Sequence, residues 1–198
     1  MRRSVLAPVA VALLLAAASA LHAQVPAASA PASAASAAAG LSKADLDFVR
    51  DAAQASHAQV EGSRLAVDKA VNTVVRGFAQ QMVDDHTKAL QELATLAAAK
   101  GAPMPTEPSV PQKARISMLS AGDGSSFDRR YASTLGVSAH QDTIRLFEKA
   151  AAESSDPDVK AYAQHMLPML VQHLEMAQDM NDVAKKEGNV KAPADRKQ

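Results

Sequence analysis

The sequence predicts an all-α protein, a four-helix bundle built from two helical hairpins that a long connection joins. Three observations predict this class. Between about residues 42 and 183, strand-like runs are few and helix-favouring residues are abundant. Apolar residues recur there at three- and four-residue steps in four separate stretches. Two of the three breaks between these stretches are short, and the middle one is long and rich in Pro and Gly, as in a bundle of two hairpins.

The first 23 residues have the pattern of a secretory signal peptide. Arg2 and Arg3 precede an apolar run over residues 5–18, and small residues follow at Ala20 and Ala23. The run is too short for a stable membrane span, so an uncleaved anchor is the weaker alternative. We expect Sec-dependent export with cleavage after Ala20 or Ala23, which makes the protein periplasmic or secreted.

The regions on either side of the predicted bundle differ from it in composition. Residues 24–41 are mostly Ala, Ser and Pro, and they cannot repay the entropy of ordering, so we expect a flexible linker. Residues 184–198 are charged and are expected to form a flexible tail. The bundle domain is therefore predicted to span residues 42–183.

Composition excludes several classes of function. The chain has 21 Lys and Arg against 21 Asp and Glu, so removal of Arg2 and Arg3 leaves 19 against 21, a net charge of −2. This balance argues against nucleic-acid binding. No later stretch has 18 unbroken apolar residues, so no membrane span is expected in the mature form. The sequence contains no cysteine and hence no disulfide.

The first predicted hairpin covers residues 42–100. Ser42, with Asp45 three residues later, resembles a capping box, and the first helix is expected to run to about Ala70. Asn72 or Thr73 can cap the second helix, which ends before Gly101. The buried stripes are predicted to be Leu46, Val49, Ala53, Ser56, Val60 and Val67 on the first helix, and Val75, Ala79, Met82, His86, Ala89, Leu93 and Leu96 on the second.

The second predicted hairpin follows a connection over residues 101–124 that contains four prolines and three glycines. One short helical turn is expected there, at 113–119. The third helix should start at Ser125 or Ser126, and Asp156 and Pro157 predict the start of the fourth. The stripes are Phe127, Tyr131, Leu135, Val137, His140, Ile144, Phe147 and Ala151, then Val159, Ala163, Met166, Leu170, His173, Ala177 and Met180. Pro168 should kink the fourth helix.

Three of the six histidines occupy core positions on different predicted helices: His86, His140 and His173. On the first helix, steps of 100° place Gln59 inside the apolar arc. At 1.5 Å per residue, Gln59 and His86 lie roughly 20 Å from the first turn, and His140 and His173 roughly 22 and 27 Å from the second. Three imidazoles and one amide from four helices can therefore share a middle layer.

These side chains permit two interpretations. A neutral imidazole is a common metal ligand, and three nitrogens with one oxygen suit zinc, copper, nickel or iron. Asp85 and Asp142 are then the candidate carboxylates that would hydrogen-bond to the metal-binding histidines from outside the site. Alternatively, the histidines only hydrogen-bond within the core and fix its register. A separate expectation is that Asp128 lies beside Tyr131, one turn away, and binds its buried hydroxyl.

The sequence resembles a family of exported bacterial proteins, family 4142 of the domains of unknown function. The resemblance rests on the segments FAQQMVDDH (78–86), FDRRYASTLGVSAH (127–140) and LPMLVQHL (167–174). It implies a ferritin-like four-helix fold over about residues 44–180. It also implies that His86, His140 and His173 are the functional candidates, with Asp128, Tyr131 and Pro168 as residues of the pattern.

Helix one departs from this family, in which Glu is common where this chain has Gln59. Glutamine keeps an oxygen acceptor but loses the charge, which weakens a metal site. Di-iron ferritin-like enzymes use Glu-x-x-His motifs, whereas Val83, Val137 and Leu170 stand three residues before the core histidines. Oxidase chemistry by that route is therefore not expected.

The sequence leaves three functions open. The favoured hypothesis is a non-enzymatic binding or envelope-stress module whose histidine layer holds a transition metal. The second is a structural or interaction protein, with an envelope protein as partner, whose histidines serve only the core. The third is a metal-dependent redox enzyme, which is disfavoured because no paired carboxylates accompany the histidines. Hydrolase, dinucleotide and phosphate-loop motifs are missing from the sequence, so no catalytic residue is assigned.

Overall fold

The fold is all-α, a ferritin-like helical bundle of two hairpins joined by a long connection. The computed structural model describes residues 40–189, with side chains through Lys186, and contains no strand within that range. All described residues lie in one compact unit. The elements are α1 (Lys43–Lys69), α2 (Thr73–Ala99), α3 (Val110–Ser120), α4 (Gly124–Tyr131), a π-helical segment (Ala132–Ser138), α5 (Ala139–Glu153) and α6 (Pro157–Asn189).

Parts of the predicted organisation lie outside the described residues. These are the signal peptide, nearly all of the Ala/Ser/Pro linker, and residues 190–198 of the tail. Over residues 40–189, no helix has the length and apolar character that crossing a membrane requires.

The helices begin where the sequence places their caps. Ser42, Asn72 and Asp156 each accept hydrogen bonds from backbone N–H groups in the first turns of α1, α2 and α6. These bonds satisfy donors that the start of a helix leaves without a partner. At the other end of α2, Gly101 adopts a φ of +61°, a left-handed conformation that glycine tolerates without strain.

Two elements are longer than predicted. The turn expected at 113–119 is an eleven-residue helix, α3, because Ser109 and Gln112 form a capping box at its start. Helix α6 continues to Asn189, past the predicted start of the tail, and Ala184 is buried. Pro168 lies inside this helix, which continues through it, and the kink there stays a prediction.

The helices pair as two hairpins. Helix α1 packs along α2, and α5 packs along α6, while contacts of α1 with α5 and of α2 with α6 join the pairs. Helices α4 and α5 and the π-helical segment between them follow one another without a break, so together they form the third rod of the bundle.

The core consists of two apolar clusters with a polar layer between them. One cluster includes Phe48, Leu93 and Leu170, and the other includes Phe78 and Met180. On every long rod, the residues between the two clusters include buried polar side chains. The predicted middle layer of Gln59, His86, His140 and His173 lies at this level.

A buried carboxylate fixes the relative height of the two hairpins. Asp45, at the start of α1, accepts hydrogen bonds from the hydroxyls of Ser154 and Ser155 in the turn between α5 and α6. Hydrogen bonds to a buried ionised carboxylate are stronger than neutral ones and have narrow geometry. This contact therefore helps to hold the polar side chains of the two hairpins in register.

Candidate metal centre

Three imidazoles meet in the middle of the bundle. His86 comes from α2, His140 from α5 and His173 from α6, and each is at most 2% exposed. Their ring centroids lie 5.5–5.6 Å apart, so the rings form a nearly equilateral triangle. One nitrogen from each ring lies within 4.8 Å of the others, a grouping that could hold a metal ion.

Gln59 supplies an amide to the same layer from α1. Its side chain is 2% exposed, and its Nε2 donates a hydrogen bond to the carbonyl of Leu135 over 2.9 Å. The same nitrogen lies 3.3 Å from Nδ1 of His140. Because the amide nitrogen is bonded to Leu135, the amide oxygen of Gln59 is left to coordinate a cation.

The π-helical segment positions His140. Nδ1 of His140 lies 2.6 Å from the carbonyl oxygen of Gly136, and this contact sets Nδ1 as the protonated nitrogen. A π-turn widens the helix, and such turns often occur at functional sites. Because the protonated nitrogen Nδ1 is bonded to the backbone, the lone pair of Nε2 remains available to bind a ligand within the layer.

Glycine allows the π-helical segment to approach α1 closely. A Cβ atom on Gly62 would lie 2.1 Å from Cδ1 of Leu135, a distance that the side chain could not accept without moving. Leu135 is also the residue whose carbonyl receives the hydrogen bond from Gln59. The glycine therefore leaves room for the side chain of the residue to which Gln59 is bonded.

Asp85 orients His173. Nε2 of His173 lies 2.9 Å from Oδ2 of Asp85 on α2. Because a carboxylate only accepts, Nε2 carries the proton and Nδ1 carries the lone pair. A carboxylate behind a histidine in this way is the usual outer partner of a metal ligand.

Five polar atoms in this layer have no hydrogen-bond partner among the described residues. They are Oε1 of Gln59, both ring nitrogens of His86, Nε2 of His140 and Nδ1 of His173. A buried polar atom without a partner costs about 1–3 kcal/mol. Such atoms are rare in native cores and call for an explanation, such as a bound ion or water.

All three imidazoles have a lowered pKa, because burial disfavours the charged ring. For His86 the pKa falls well below its usual range, with His140 and His173 adding repulsion. For His140 it falls to about 4, although the hydrogen bond to Gly136 opposes the shift. For His173 the bond to Asp85 opposes burial, and the pKa is still lowered. The rings are therefore neutral at pH 7, as metal ligands must be.

Two sequence predictions about carboxylates are wrong. Asp142 does not reach the histidines: it is largely exposed and pairs with Arg145, because two positions beyond His140 is a different face of the helix. Asp128 is not the partner of the Tyr131 hydroxyl, which pairs with Ser63 on α1 at 2.8 Å.

Asp128 instead caps the turn between α1 and α2. Its carboxylate accepts hydrogen bonds from the backbone N–H groups of Val71 and Asn72. Helix geometry shows which side chains share a face of one rod, but it does not show which neighbouring rod supplies a partner. Tyr131 is completely buried, and burial raises the pKa of its phenol.

The remaining described histidines lie away from the layer. His165 is 73% exposed, as predicted. His57 is half-buried, and its Nε2 lies 3.1 Å from the carbonyl of Pro105 in the connection after α2.

The backbone carbonyls of Leu135 and Gly136 were not predicted as part of the site. The sequence did contain a signal for the π-helical segment, because the apolar stripe of the third rod shifts by two residues, from Leu135 to Val137, before His140. A regular α-helix does not place Leu135 and His140, five residues apart, on one face.

Solved structures share this fold at low sequence identity. A DUF305 fragment from Deinococcus radiodurans has a TM-score of 0.62 and 15% identity, covering 75% of this chain and 99% of that one. A spore coat protein, described as putative, from Bacillus halodurans C-125 has a TM-score of 0.59 and 14% identity, covering 81% and 98%. A conserved hypothetical protein from Mycobacterium tuberculosis has a TM-score of 0.54 and 16% identity, covering 76% and 95%.

A comparison with curated proteins finds no significant match. Residues 30–180, in contrast, match the family described as a domain of unknown function, DUF4142, which therefore spans all the helices up to the last turns of α6. The matched region contains the entire histidine layer with Gln59 and Asp85. The chain belongs to the DUF4142 family.

Proposed function

We propose that this protein is an exported, non-enzymatic metal-binding bundle that holds a divalent transition metal ion between His86, His140 and His173, with Gln59 as a fourth donor. The observation that carries the proposal is the set of five buried polar atoms without partners, contributed by four different rods. An ion bound there would take one nitrogen from each ring and the amide oxygen, which accounts for four of the five atoms.

The hydrogen bonds around the layer support this assignment. His140 and His173 each use one nitrogen to bind an outer acceptor, which leaves the other nitrogen with its lone pair. His86 has no such bond within the described chain, so either of its nitrogens can serve. Three nitrogens and an amide oxygen suit zinc, copper, nickel or iron.

Burial and ligand number favour binding over catalysis. A catalytic metal keeps one coordination position open for water or substrate, whereas four protein donors fill a tetrahedral site. The four side chains are also at most 2% exposed. Storage, sequestration or a stress-related binding role in the cell envelope fits these properties.

Export is supported by the N-terminal pattern of Arg2, Arg3 and the apolar run that follows. We expect the mature protein in the periplasm or the medium. Mass spectrometry of protein isolated from those fractions should give a chain that starts after Ala20 or Ala23. A full-length chain in the cytoplasm would contradict export and leave the metal proposal standing.

The alternative is a core in which the histidines only fix register. The bonds of His140 and His173 to Gly136 and Asp85 favour it, because they link neighbouring elements without any ion. This role gives no purpose to His86, whose two nitrogens are unpaired within the described residues. His86 is therefore the residue that separates the two functions.

Elemental analysis of protein purified without a histidine tag tests the proposal. We expect about one transition-metal ion per chain in wild type, its loss in His86→Ala, and its retention in the exposed control His165→Ala. Added metal at a hundredfold excess over its Kd should stabilise the folded protein by about 2.7 kcal/mol. A metal-free protein whose melting temperature does not respond to zinc, copper, nickel or iron would refute metal binding.

A further inference from the structure

One surface cleft reaches a residue of the histidine layer, and another reaches the carboxylate that binds the layer from outside. One lies between α1 and α5, has a volume of about 280 Å³, and is lined by residues that include Asp51, Ala55, Gln59 and Asp142. The other lies between α2 and α6, has a volume of about 320 Å³, and is lined by residues that include Asp85 and Met169. Each cleft could lead a cation from solvent towards the buried rings.

The inner ends of the clefts differ chemically. The cleft between α2 and α6 leads to Asp85, which binds the protonated nitrogen of His173, so the lone pair lies on the other nitrogen of that ring. The cleft between α1 and α5 leads to Gln59, which is 2% exposed and whose Oε1 has no partner within the described chain. Of the four side chains of the layer, only Gln59 lines either of these two clefts, and it lines the cleft between α1 and α5.

We propose that metal ions reach the histidine layer through the cleft between α1 and α5, and that the amide of Gln59 is the first buried donor they meet. This inference rests on the metal-binding function proposed above. It adds the route and the residues that control the rate of binding.

Carboxylates at the rim of this cleft influence the rate of binding. Exposed carboxylates at the mouth of a cleft raise the local concentration of cations and their association rate. Asp51 and Asp142 face it from α1 and α5, with side chains 43% and 57% exposed. Arg50 and Arg145 pair with these two carboxylates, and Arg115 also lines the cleft, so the rim has no net attraction for cations and the route rests on Gln59.

A steric block in each cleft tests the route. Ala55→Phe fills the cleft between α1 and α5, and Met169→Phe adds bulk to the cleft between α2 and α6 as the matched control. Stopped-flow absorbance would follow Co²⁺ binding to the chelator-stripped protein. We expect Ala55→Phe to lower the association and dissociation rate constants together, by about tenfold, so that the affinity is unchanged. Met169→Phe should leave both rates at the wild-type value.

A charge variant keeps the test decisive if Ala55→Phe does not fold. Asp142→Asn is an exposed change and should slow Co²⁺ association about threefold at low salt. High salt should remove the difference, because the screening length shortens. Glu92→Gln, at the rim of the other cleft, is the control and should have no effect on the rate.

The outcomes separate this inference from the function on which it rests. Wild-type Co²⁺ binding with unchanged rates in Ala55→Phe and Asp142→Asn would overturn the route and leave the metal site intact. Slower binding in Met169→Phe alone would assign access to the other cleft. If wild type binds no Co²⁺ at all, both proposals are overturned.

Discussion

Nε2 of His173 donates to Oδ2 of Asp85 across 2.9 Å, joining α6 to α2 at the edge of the histidine layer. The His173 side chain is 1% exposed and that of Asp85 is 36% exposed, so this bond links the buried layer to the surface. It selects the tautomer of His173 and directs the lone pair of Nδ1 inward.

Asp85→Asn should weaken metal binding by about 10–100-fold, the usual loss when an outer partner of a metal-binding histidine is removed. The physical reason is that an amide binds the imidazole N–H more weakly than a carboxylate and does not raise the basicity of the ring. Competition titration with a chelating dye would measure the affinity. Asp84→Asn is the matched control, since Asp84 is exposed and bonds Gln80. Equal affinities in the two variants would contradict a role for Asp85.

His86→Leu should abolish metal binding and stabilise the metal-free protein by about 1 kcal/mol. The change removes two buried nitrogens that have no partner in the described residues and keeps a similar volume. Urea denaturation in the presence of a chelator gives the free energy of unfolding, and elemental analysis gives the metal content. If His86 served only the core, the leucine variant would instead be less stable than wild type.

The metal-free protein should lose stability as the pH falls below about 6.5. Each buried imidazole has a lowered pKa, about 4 for His140 against an ordinary 6.5, so the unfolded chain binds protons first. Stability is therefore complete above pH 6.5 and decreases towards pH 4, by at most about 1.4 kcal/mol per pH unit for each histidine. Urea denaturation between pH 7.5 and 4.5 measures this slope. His86→Leu should reduce it, and an identical slope would argue against the lowered pKa of His86.

Gln59→Glu should raise metal affinity by about tenfold and lower the stability of the metal-free protein. The carboxylate adds a charged ligand. In the absence of metal, it is buried without a counter-charge, and the donor to the carbonyl of Leu135 is lost. Chelator competition and thermal melts with and without metal measure the two effects. Gln59→Met, which has no amide, is the control and should weaken binding; a Glu variant that binds no better than Met would exclude residue 59 as a ligand.

Gly62→Ala should destabilise the fold by about 1–3 kcal/mol, because its Cβ would lie 2.1 Å from Cδ1 of Leu135, and that buried side chain would have to move within a packed core. Gly77→Ala is the matched control in α2, where the added Cβ meets nothing within 4 Å. It should stabilise the protein by roughly 0.5–1 kcal/mol through helix propensity. Urea denaturation compares the two, and equal stabilities would show that the contact with Leu135 relaxes freely.

The sequence predicted the bundle and the members of its central layer because both depend on local periodicity. The stripe on α6, from Val159 to Met180, is buried at every predicted position. Counting residues from the turns placed His86 and His140 at one height, since the rise per residue of a helix is constant. The capping residues Ser42 and Asn72 could also be predicted, because a cap side chain bonds only backbone N–H groups in the first turn of its own helix.

The side-chain partners of Asp128, Tyr131 and Asp142 could not be predicted in the same way. Asp128 was expected beside Tyr131, but it caps the turn before α2, and the Tyr131 hydroxyl pairs with Ser63. Asp142 lies only two residues from His140, yet it points into the cleft between α1 and α5. The partner of Asp128 depended on how the rods pack, which local spacing does not contain, whereas Asp142 lies on a different face of its helix from His140.

The amino-acid sequence by itself determined four rods, their caps, and which faces carry His86, His140, His173 and Gln59, because helical periodicity is a local property. Only the folded structure decided which nitrogen of His140 and of His173 keeps its lone pair for the layer. That choice depends on the Gly136 carbonyl, set by the π-helical segment, and on Asp85, set by the packing of α2 against α6. Each hydrogen bond depends on the exact distance between its two atoms, because a shift of one ångström makes or breaks it.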